Sequence, residues 1–329
     1  MKTKLVYSDS YNPFFNLSLE EHLFQNIKED EVIFYLWQNA HTVVIGRNQN
    51  PYRECNLREF EADRGKLARR MSGGGAVYHD LGNLNFTFIL PKREFNLIKQ
   101  FEVIIKALKR IGITAYISGR NDLLVNEKKF SGNAFYHTDK TSLHHGTILI
   151  DVCPEKIQKY LNVSKEKLKS KGVKSVKSRV INLKELKPNL TIEKMKDLLV
   201  YGFSEAYNVP DSFSLSNELQ CEAFFSILQK YKSHEWRYGN TPEFSHEFGK
   251  RFTWGEIQFQ VMVTKGIIEQ CVIFSDSLEP DLIEALSKGL IGCDFHHWSL
   301  SERVDELMRK YGENQIYMTL KTYFLETDI

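Results

Sequence analysis

Three consecutive glycines, Gly73-Gly74-Gly75, separate the arginine pair Arg69-Arg70 from Ala76-Val77-Tyr78, and the stretch runs on through His79, Asp80 and Gly82 to Asn83 and Asn85. Glycine reaches φ > 0 without strain and lets backbone N–H groups approach a ligand with no Cβ between them. Arginine adds a planar fork of donors that stays charged at any working pH. The structured, apolar segments that follow, Ala76-Val77-Tyr78 and Leu84 to Leu90, argue against a flexible linker. The segment therefore predicts a loop held at a sheet edge and shaped as an anion cradle.

The surrounding pattern is one of short strands with helices outside them. Val32 to Trp37 and Thr42 to Ile45 are β-branched and aromatic runs that predict buried strands. Leu84, Phe86, Phe88 and Leu90 alternate with Asn85, Thr87 and Ile89, which predicts a strand with at least one buried face. Leu97, Phe101, Ile104, Ile105 and Leu108 recur at helical spacing, with Gly112 as terminator. Ser18 and Glu21 have capping-box spacing and predict a helix start there. Asp122 to Val125 and Lys129 to Ser131 flank Asn126-Glu127-Lys128 and predict a hairpin, and Gly146 to Ile150 predicts a further strand. From Phe252 two strands turn at Thr264-Lys265-Gly266, followed by helical segments near 279–289 and 299–311. The expected class is α+β, with a mixed or antiparallel sheet domain over 1–245 and a small α+β domain over 246–329. Strands and helices do not alternate regularly, and no G-x-G-x-x-G follows a first strand, which sets aside a doubly wound fold.

Bulk properties remove several functional classes. A net charge of +2 over 329 residues gives no general electrostatic reason to bind nucleic acid or membrane. No apolar run approaches the ~20 residues needed to span a bilayer. The five cysteines are odd in number and lack C-x-x-C spacing, which fits free thiols in a reducing compartment; with no apolar leader at Met1 to Ser10, a cytoplasmic protein is expected. There is no P-loop, Ser72 lacks the G-x-S-x-G frame, and no H-E-x-x-H occurs. The doublets His144-His145 and His296-His297 would point to opposite faces if they lie in strands.

Two other segments invite chemistry. Ser118-Gly119-Arg120-Asn121-Asp122 and Lys128-Lys129-Phe130-Ser131-Gly132 place a lysine on a strand followed by small residues. Such a lysine suits the oxygens of a phosphate or acyl phosphate, although a solvated hairpin lysine is the commoner fate. Lys165 to Lys187 is rich in lysine with Arg179 and carries Gly172 and the serines Ser170, Ser175 and Ser178, a candidate loop whose charge suits an anion. It lacks interleaved aromatics, which disfavours an RNA-binding role.

Side by side, these segments resemble the lipoate–protein ligase A family. The matching residues are Arg69-Arg70, Ser72 to Asn83, Ser118 to Leu123, Lys129-Phe130-Ser131-Gly132 with Ala134, His144 to Thr147, Lys171-Gly172-Val173 with Ser175 and Ser178-Arg179, and Arg251 to Gly255 with Phe274 and Asp276-Ser277-Leu278. They span nearly the whole chain in the same order. Met71 departs from the pattern, since many members carry a third arginine there.

The resemblance implies the fold shared with biotin–protein ligases and an ATP-dependent, AMP-forming ligation. Lipoate and ATP would give lipoyl-AMP, with Mg2+ assisting, and the lipoyl group would pass to a lysine of an apo lipoyl carrier domain of the 2-oxoacid dehydrogenase or glycine-cleavage type. Lys129 would be the catalytic residue. Arg70 and the backbone of Gly75, Ala76, Val77 and Tyr78 would hold the nucleotide, with Asn83 a weaker candidate. Asp122 would either orient Lys129 or bind magnesium, so no metal ligand is assigned. Ser178, with Lys174, Ser175, Lys177 and Arg179, would lie on a loop that closes over the adenylate. The competing expectation is an ATP-independent octanoyl or lipoyl transferase using Cys153 as nucleophile.

Overall fold

The computed structural model describes residues 1–119, 121–162, 180–212, 219, 221–239 and 244–327. Ser178 and its neighbours in the lysine-rich segment lie outside the described residues, as does Arg120. The chain divides into two compact units. The first holds Met1–Ile45, Pro51–Met71 and Ala76–Arg237; the second holds Tyr238–Ile329 together with the two short loops Gly46–Asn50 and Ser72–Gly75. The division falls after Arg237, and all three glycines of the run are grouped with the second unit.

The first unit is built on an eight-stranded mixed sheet. Its strands are β1 (Lys2–Tyr7), β2 (Glu31–Trp37), β6 (Asn83–Pro91), β7 (Tyr116–Ser118), β8 (Asp122–Val125), β9 (Lys128–His137), β10 (Thr141–Leu149) and β11 (Asp211–Ser212), in the spatial order β11-β1-β2-β6-β10-β9-β8-β7. The pairs β1–β11 and β1–β2 are parallel and the remainder antiparallel. A small sheet, β3 (Thr42–Ile45) between β4 (Lys66–Arg69) and β5 (Val77–His79), stands apart from it.

The long apolar run of β2 is explained by burial on both faces. Val32, Phe34 and Leu36 join Leu84, Phe86 and Phe88 of β6 and the helices Leu97–Lys109 and Ile192–Tyr207 in one core. Ile33, Tyr35 and Trp37 join Leu17, Leu19 and Leu23 of the helix Pro13–Asn26 and Phe224 of Glu222–Lys232 in another. That first helix begins earlier than its capping-box spacing suggests. Asn12 caps it by accepting from Phe14 N–H, and Ser18 is a buried mid-helix residue whose hydroxyl donates to the Phe14 carbonyl. The β8–β9 hairpin turns at Asn126 and Glu127, both at positive φ (50° and 62°), which matches the right-handed strand twist.

In the second unit β12 (His246–Phe252), β13 (Gly255–Thr264) and β14 (Ile267–Ser275) form an antiparallel sheet. Helices Pro280–Leu290, His297–Tyr311 and Gln315–Glu326 pack Leu286, Leu300, Tyr317 and Phe324 onto Ile257, Phe259 and Val261. The molecule is α+β throughout. No helix among the described residues is long and apolar enough to cross a membrane.

Candidate active site

Strand register assembles the site. On one face of the large sheet Asp122 lies opposite Gly132, whose N–H donates to Thr147 Oγ1 at 3.2 Å; Thr147 lies opposite Asn85, and Asn85 opposite Trp37. These residues make one row across β8, β9, β10, β6 and β2. A second row, two residues along, runs Ala134, His145, Thr87, Tyr35. Period-2 alternation puts the side chains of both rows on the same face.

Lys129 reaches that face through a bulge. Opposite the adjacent pair Leu123 and Leu124 stand Ser131 and Lys129, so β9 carries one extra residue, Phe130. One inserted residue flips the side-chain parity. Phe130 consequently enters the aromatic core on the far face, and the Lys129 ammonium comes to 2.7 Å from Asp122 Oδ1. The lysine side chain lies over Gly132: a Cβ there would sit 2.5 Å from Nζ and 2.7 Å from Cε. Val180, where the described chain resumes, pairs with Lys129, and Ile181 N–H donates to its carbonyl at 3.0 Å.

The rows continue into a buried polar network. Glu20, fully buried on the helix Pro13–Asn26, accepts from Thr87 Oγ1 at 2.6 Å and bonds His145 Nδ1 at 2.9 Å; Trp37 Nε1 donates to Thr87 Oγ1 at 3.0 Å. Arg70 at the end of β4 is buried, and burial pushes its guanidinium down to about 10 against the opposing pull of the Glu20 charge. It remains charged at neutral pH and donates to the Val44 carbonyl at 3.2 Å. His79 is pushed down to about 3, first by burial and then by Arg70 and His145. It is therefore neutral. Asn39 Nδ2 faces its Nδ1 at 3.3 Å, so the ring hydrogen sits on Nε2.

Three buried polar atoms in this region lack a protein partner among the described residues: His79 Nε2, Asn83 Oδ1 and Asn85 Nδ2. An unmet buried donor or acceptor costs about 1–3 kcal/mol, so three together mark a place where a ligand or water completes the set. Asn83 spends its Nδ2 on Asn85 Oδ1 at 2.9 Å.

The structure separates residues that the sequence presents as equivalent. Arg69 turns away from the site, donating to the Trp236 and Arg237 carbonyls at 2.7 and 3.0 Å, while Trp236 Nε1 returns a bond to the Arg69 carbonyl. Met71 packs in the core with Val44 and Ala68. Ala76, Val77 and Tyr78 belong to the first unit, where Val77 pairs with Val44 and Tyr78 Oη meets His41 Nδ1 at 3.0 Å. Gly75 is grouped with the second unit. In that unit Gly74 (φ +88°) donates its N–H to the Ser277 carbonyl at 2.9 Å, and a Cβ on Gly73 would lie 2.0 Å from the same oxygen. These two glycines are required by close backbone packing.

Sequence reasoning assigned no role to Glu20, Trp37, His79, Asn85, Gly132, His145 or Thr147, although several lie in the motifs it quoted. The alternation of β6 pointed at Asn85 and Thr87, but only pairing on both sides reveals that their face is buried. Among the described residues no three His, Cys, Asp or Glu side chains cluster as a metal cage. Mg2+ usually takes one or two carboxylates together with substrate phosphates, and Asp122 fits that donor set.

Comparison with known proteins gives a consistent result. The family model described as lipoyl protein ligase A/B catalytic domain matches residues 12–204, and that of the bacterial lipoate protein ligase C-terminus matches residues 241–320. The chain is 40% identical over 333 aligned positions to the lipoate-protein ligase A of Blochmanniella floridana, covering 99% of this chain and 98% of that one. Among solved structures it is similar to LipL1 of P. falciparum in complex with lipoate, at a TM-score of 0.87 and 32% identity over 99% of this chain and 100% of the other. It is also similar to the bipartite lipoate protein ligase of Thermoplasma acidophilum, described with its E2 lipoyl domain, at a TM-score of 0.63 and 26% identity over 74% and 98% of the two chains.

Proposed function

Since the chain belongs to the lipoate–protein ligase A family, we propose that it activates free lipoate with ATP and transfers the lipoyl group to a lysine of an apo lipoyl carrier domain. The observation that carries this reading is the Lys129–Asp122 pair, seated over Gly132 at the end of a buried polar row.

In the first step a lipoate carboxylate oxygen bonds to the α-phosphorus of ATP and pyrophosphate leaves. Lys129, a compact charge on a rigid strand, holds the carboxylate and an α-phosphate oxygen together; fixed donors of this kind stabilise developing charge without reorganising. Arg70 and the backbone of Gly75, Ala76, Val77 and Tyr78 hold the nucleotide, and Asn83 supplies its free carbonyl oxygen. Bound Mg2+ would neutralise phosphate charge, with Asp122 as its protein ligand; in its absence Asp122 orients Lys129. In the second step the carrier lysine amine attacks the acyl carbon, AMP departs and an amide forms. Ser178 and the lysine-rich segment, outside the described residues, are carried into this reading from the family resemblance alone, which would have them exclude water from the mixed anhydride.

Incubation with ATP, Mg2+, lipoate and an apo carrier domain should raise the carrier mass by one lipoyl group. Lys129→Ala should abolish lipoate-dependent ATP–pyrophosphate exchange in a folded protein; normal exchange in that variant would overturn the assignment. The transferase alternative, with Cys153 as nucleophile, is disfavoured by the match of residues 241–320 to the lipoate protein ligase C-terminus. Full activity in Cys153→Ala, with strict ATP dependence, would exclude that route.

A further inference from the structure

Directly beneath the site, on the opposite face of the same strands, lies a fully buried histidine in an aromatic cage. The ring of His144 packs against Phe86, Phe88, Phe101 and Phe135 at centroid distances of 5.0–5.6 Å. An apolar side chain would fill such a cage without needing partners, whereas a buried imidazole costs free energy unless both nitrogens are satisfied. Both have a partner: Nε2 lies 3.0 Å from Asn133 Oδ1 and Nδ1 lies 2.9 Å from Gln100 Oε1.

The hydrogen-bond balance gives this chain a direction. Asn133 Nδ2 donates to the Asn121 carbonyl at 3.0 Å and faces Ser131 Oγ at 3.3 Å, so its Oδ1 is the acceptor toward His144. Nε2 therefore carries the ring hydrogen. Burial holds His144 neutral, far below its ordinary range, so Nδ1 must accept. A neutral ring with its hydrogen on Nε2 therefore requires the Gln100 amide turned about, so that its nitrogen, which has no partner among the described residues as placed, donates to Nδ1.

At the other end, Asn133 grips Asn121 three ways: its backbone N–H and its Nδ2 both donate to the Asn121 carbonyl at 3.0 Å, and Asn121 Nδ2 returns to the Asn133 carbonyl at 2.5 Å. Asn121 immediately precedes Asp122. Space is cleared for this arrangement, since a Cβ on Gly146 would stand 2.3 Å from Asn133 Oδ1.

We propose that His144 is a positioning residue for the reaction, acting through Asn133 and Asn121 to fix Asp122 and so the place of the Lys129 ammonium. It rests on the reading of Lys129 as the reacting group, but its primary test does not need turnover. The full chain would be treated with an amine-reactive acetylating agent, and the acetylation rate at Lys129 followed by peptide mass spectrometry, beside kcat and KM for lipoate-dependent ATP–pyrophosphate exchange.

Three substitutions divide the possibilities. His144→Gln keeps a donor near the Nε2 position, His144→Asn keeps only the Nδ1 side, and His144→Phe keeps the packing alone. Gln should label like the unsubstituted protein. Asn and Phe should label Lys129 several-fold faster and lower kcat about tenfold, a typical cost of a sub-ångström misplacement, with KM for ATP unchanged. Asn133→Ser cuts the same chain without touching the cage, and should reproduce the faster labelling should His144→Phe fail to fold.

Equal labelling in all variants would overturn the proposal. So would losses that follow melting temperature alone, with Gln no better than Asn. The expected labelling pattern in a protein that ligates no lipoate would uphold the positioning chain and refute the functional reading.

Discussion

Replacing Gly132 by alanine should separate stability from chemistry. Gly132 sits in β9 without a positive φ, so alanine meets no backbone strain. In a strand alanine is favoured over glycine by roughly 0.5–1 kcal/mol, so the fold should hold or gain slightly. The added Cβ would stand 2.5 Å from Lys129 Nζ, where ordinary contact begins near 3.4 Å, so the ammonium must retreat by the difference, 0.9 Å. It is the end of a flexible side chain and can do so at little cost. The 2.7 Å pairing with Asp122 is what gives way.

A misplacement near 1 Å costs up to about 100-fold in rate, or ~2.7 kcal/mol of transition-state stabilisation. We expect kcat for lipoate-dependent ATP–pyrophosphate exchange to fall about 10–100-fold in Gly132→Ala while the melting temperature is unchanged or raised. The assay pairs exchange kinetics with thermal melting on the same preparation. An unchanged kcat in the stable variant would refute the argument that Lys129 acts from this position. A fall in melting temperature would refute the claim that only a flexible tip stands in the way.

Gly146→Ala offers the contrasting case: its Cβ would meet Asn133 Oδ1 at 2.3 Å and the Phe86 ring at 2.5 Å, so stability should fall by about 1–3 kcal/mol, read as a lower urea midpoint. Arg69→Met should destabilise the protein, because the Trp236 and Arg237 carbonyls lose a donor, yet leave KM for ATP unchanged; a raised KM would show that Arg69, like Arg70, serves the nucleotide. Acid should weaken the fold through its buried neutral histidines. His79 falls from an ordinary 6.5 to about 3 in the folded state, so the unfolded chain binds the extra proton between those values. Its contribution is complete above pH 6.5 and is lost as the pH falls toward 3, at ~1.4 kcal/mol per pH unit. His144 acts in the same sense. Urea midpoints between pH 7 and pH 5 should therefore drop, and less steeply in His144→Gln; an identical slope would refute the assignment of His144 as neutral.

Much of the architecture was legible locally. The hairpin at Asn126-Glu127, the helix Leu97–Lys109 and the β13–β14 hairpin of the second unit follow from turn chemistry and hydrophobic period, which neighbouring residues alone determine, whereas β12 was not foreseen. Period 2 also settled that His144 and His145 face opposite ways, one into the Phe cage and the other toward Glu20. Ser18 was misread because a capping-box spacing says nothing about whether Asn12 and Pro13 have already begun the helix.

The residue types for anion chemistry, Arg70, Asp122, Lys129 and the glycines, were thus determined by the sequence itself, along with the class of fold that displays them. Tertiary structure decided which of them meet. The bulge at Phe130 turned Lys129 onto the face of Asp122, and the pairing of β6 between β2 and β10 buried Asn85 and Thr87 beside Glu20. Packing also divided Arg69 from Arg70, and set Gly73 and Gly74 against Ser277. The physical reason is range. Alternation and turn propensity act over a few residues, whereas the burial of a polar face depends on partners tens to hundreds of positions away, such as Glu20 against His145.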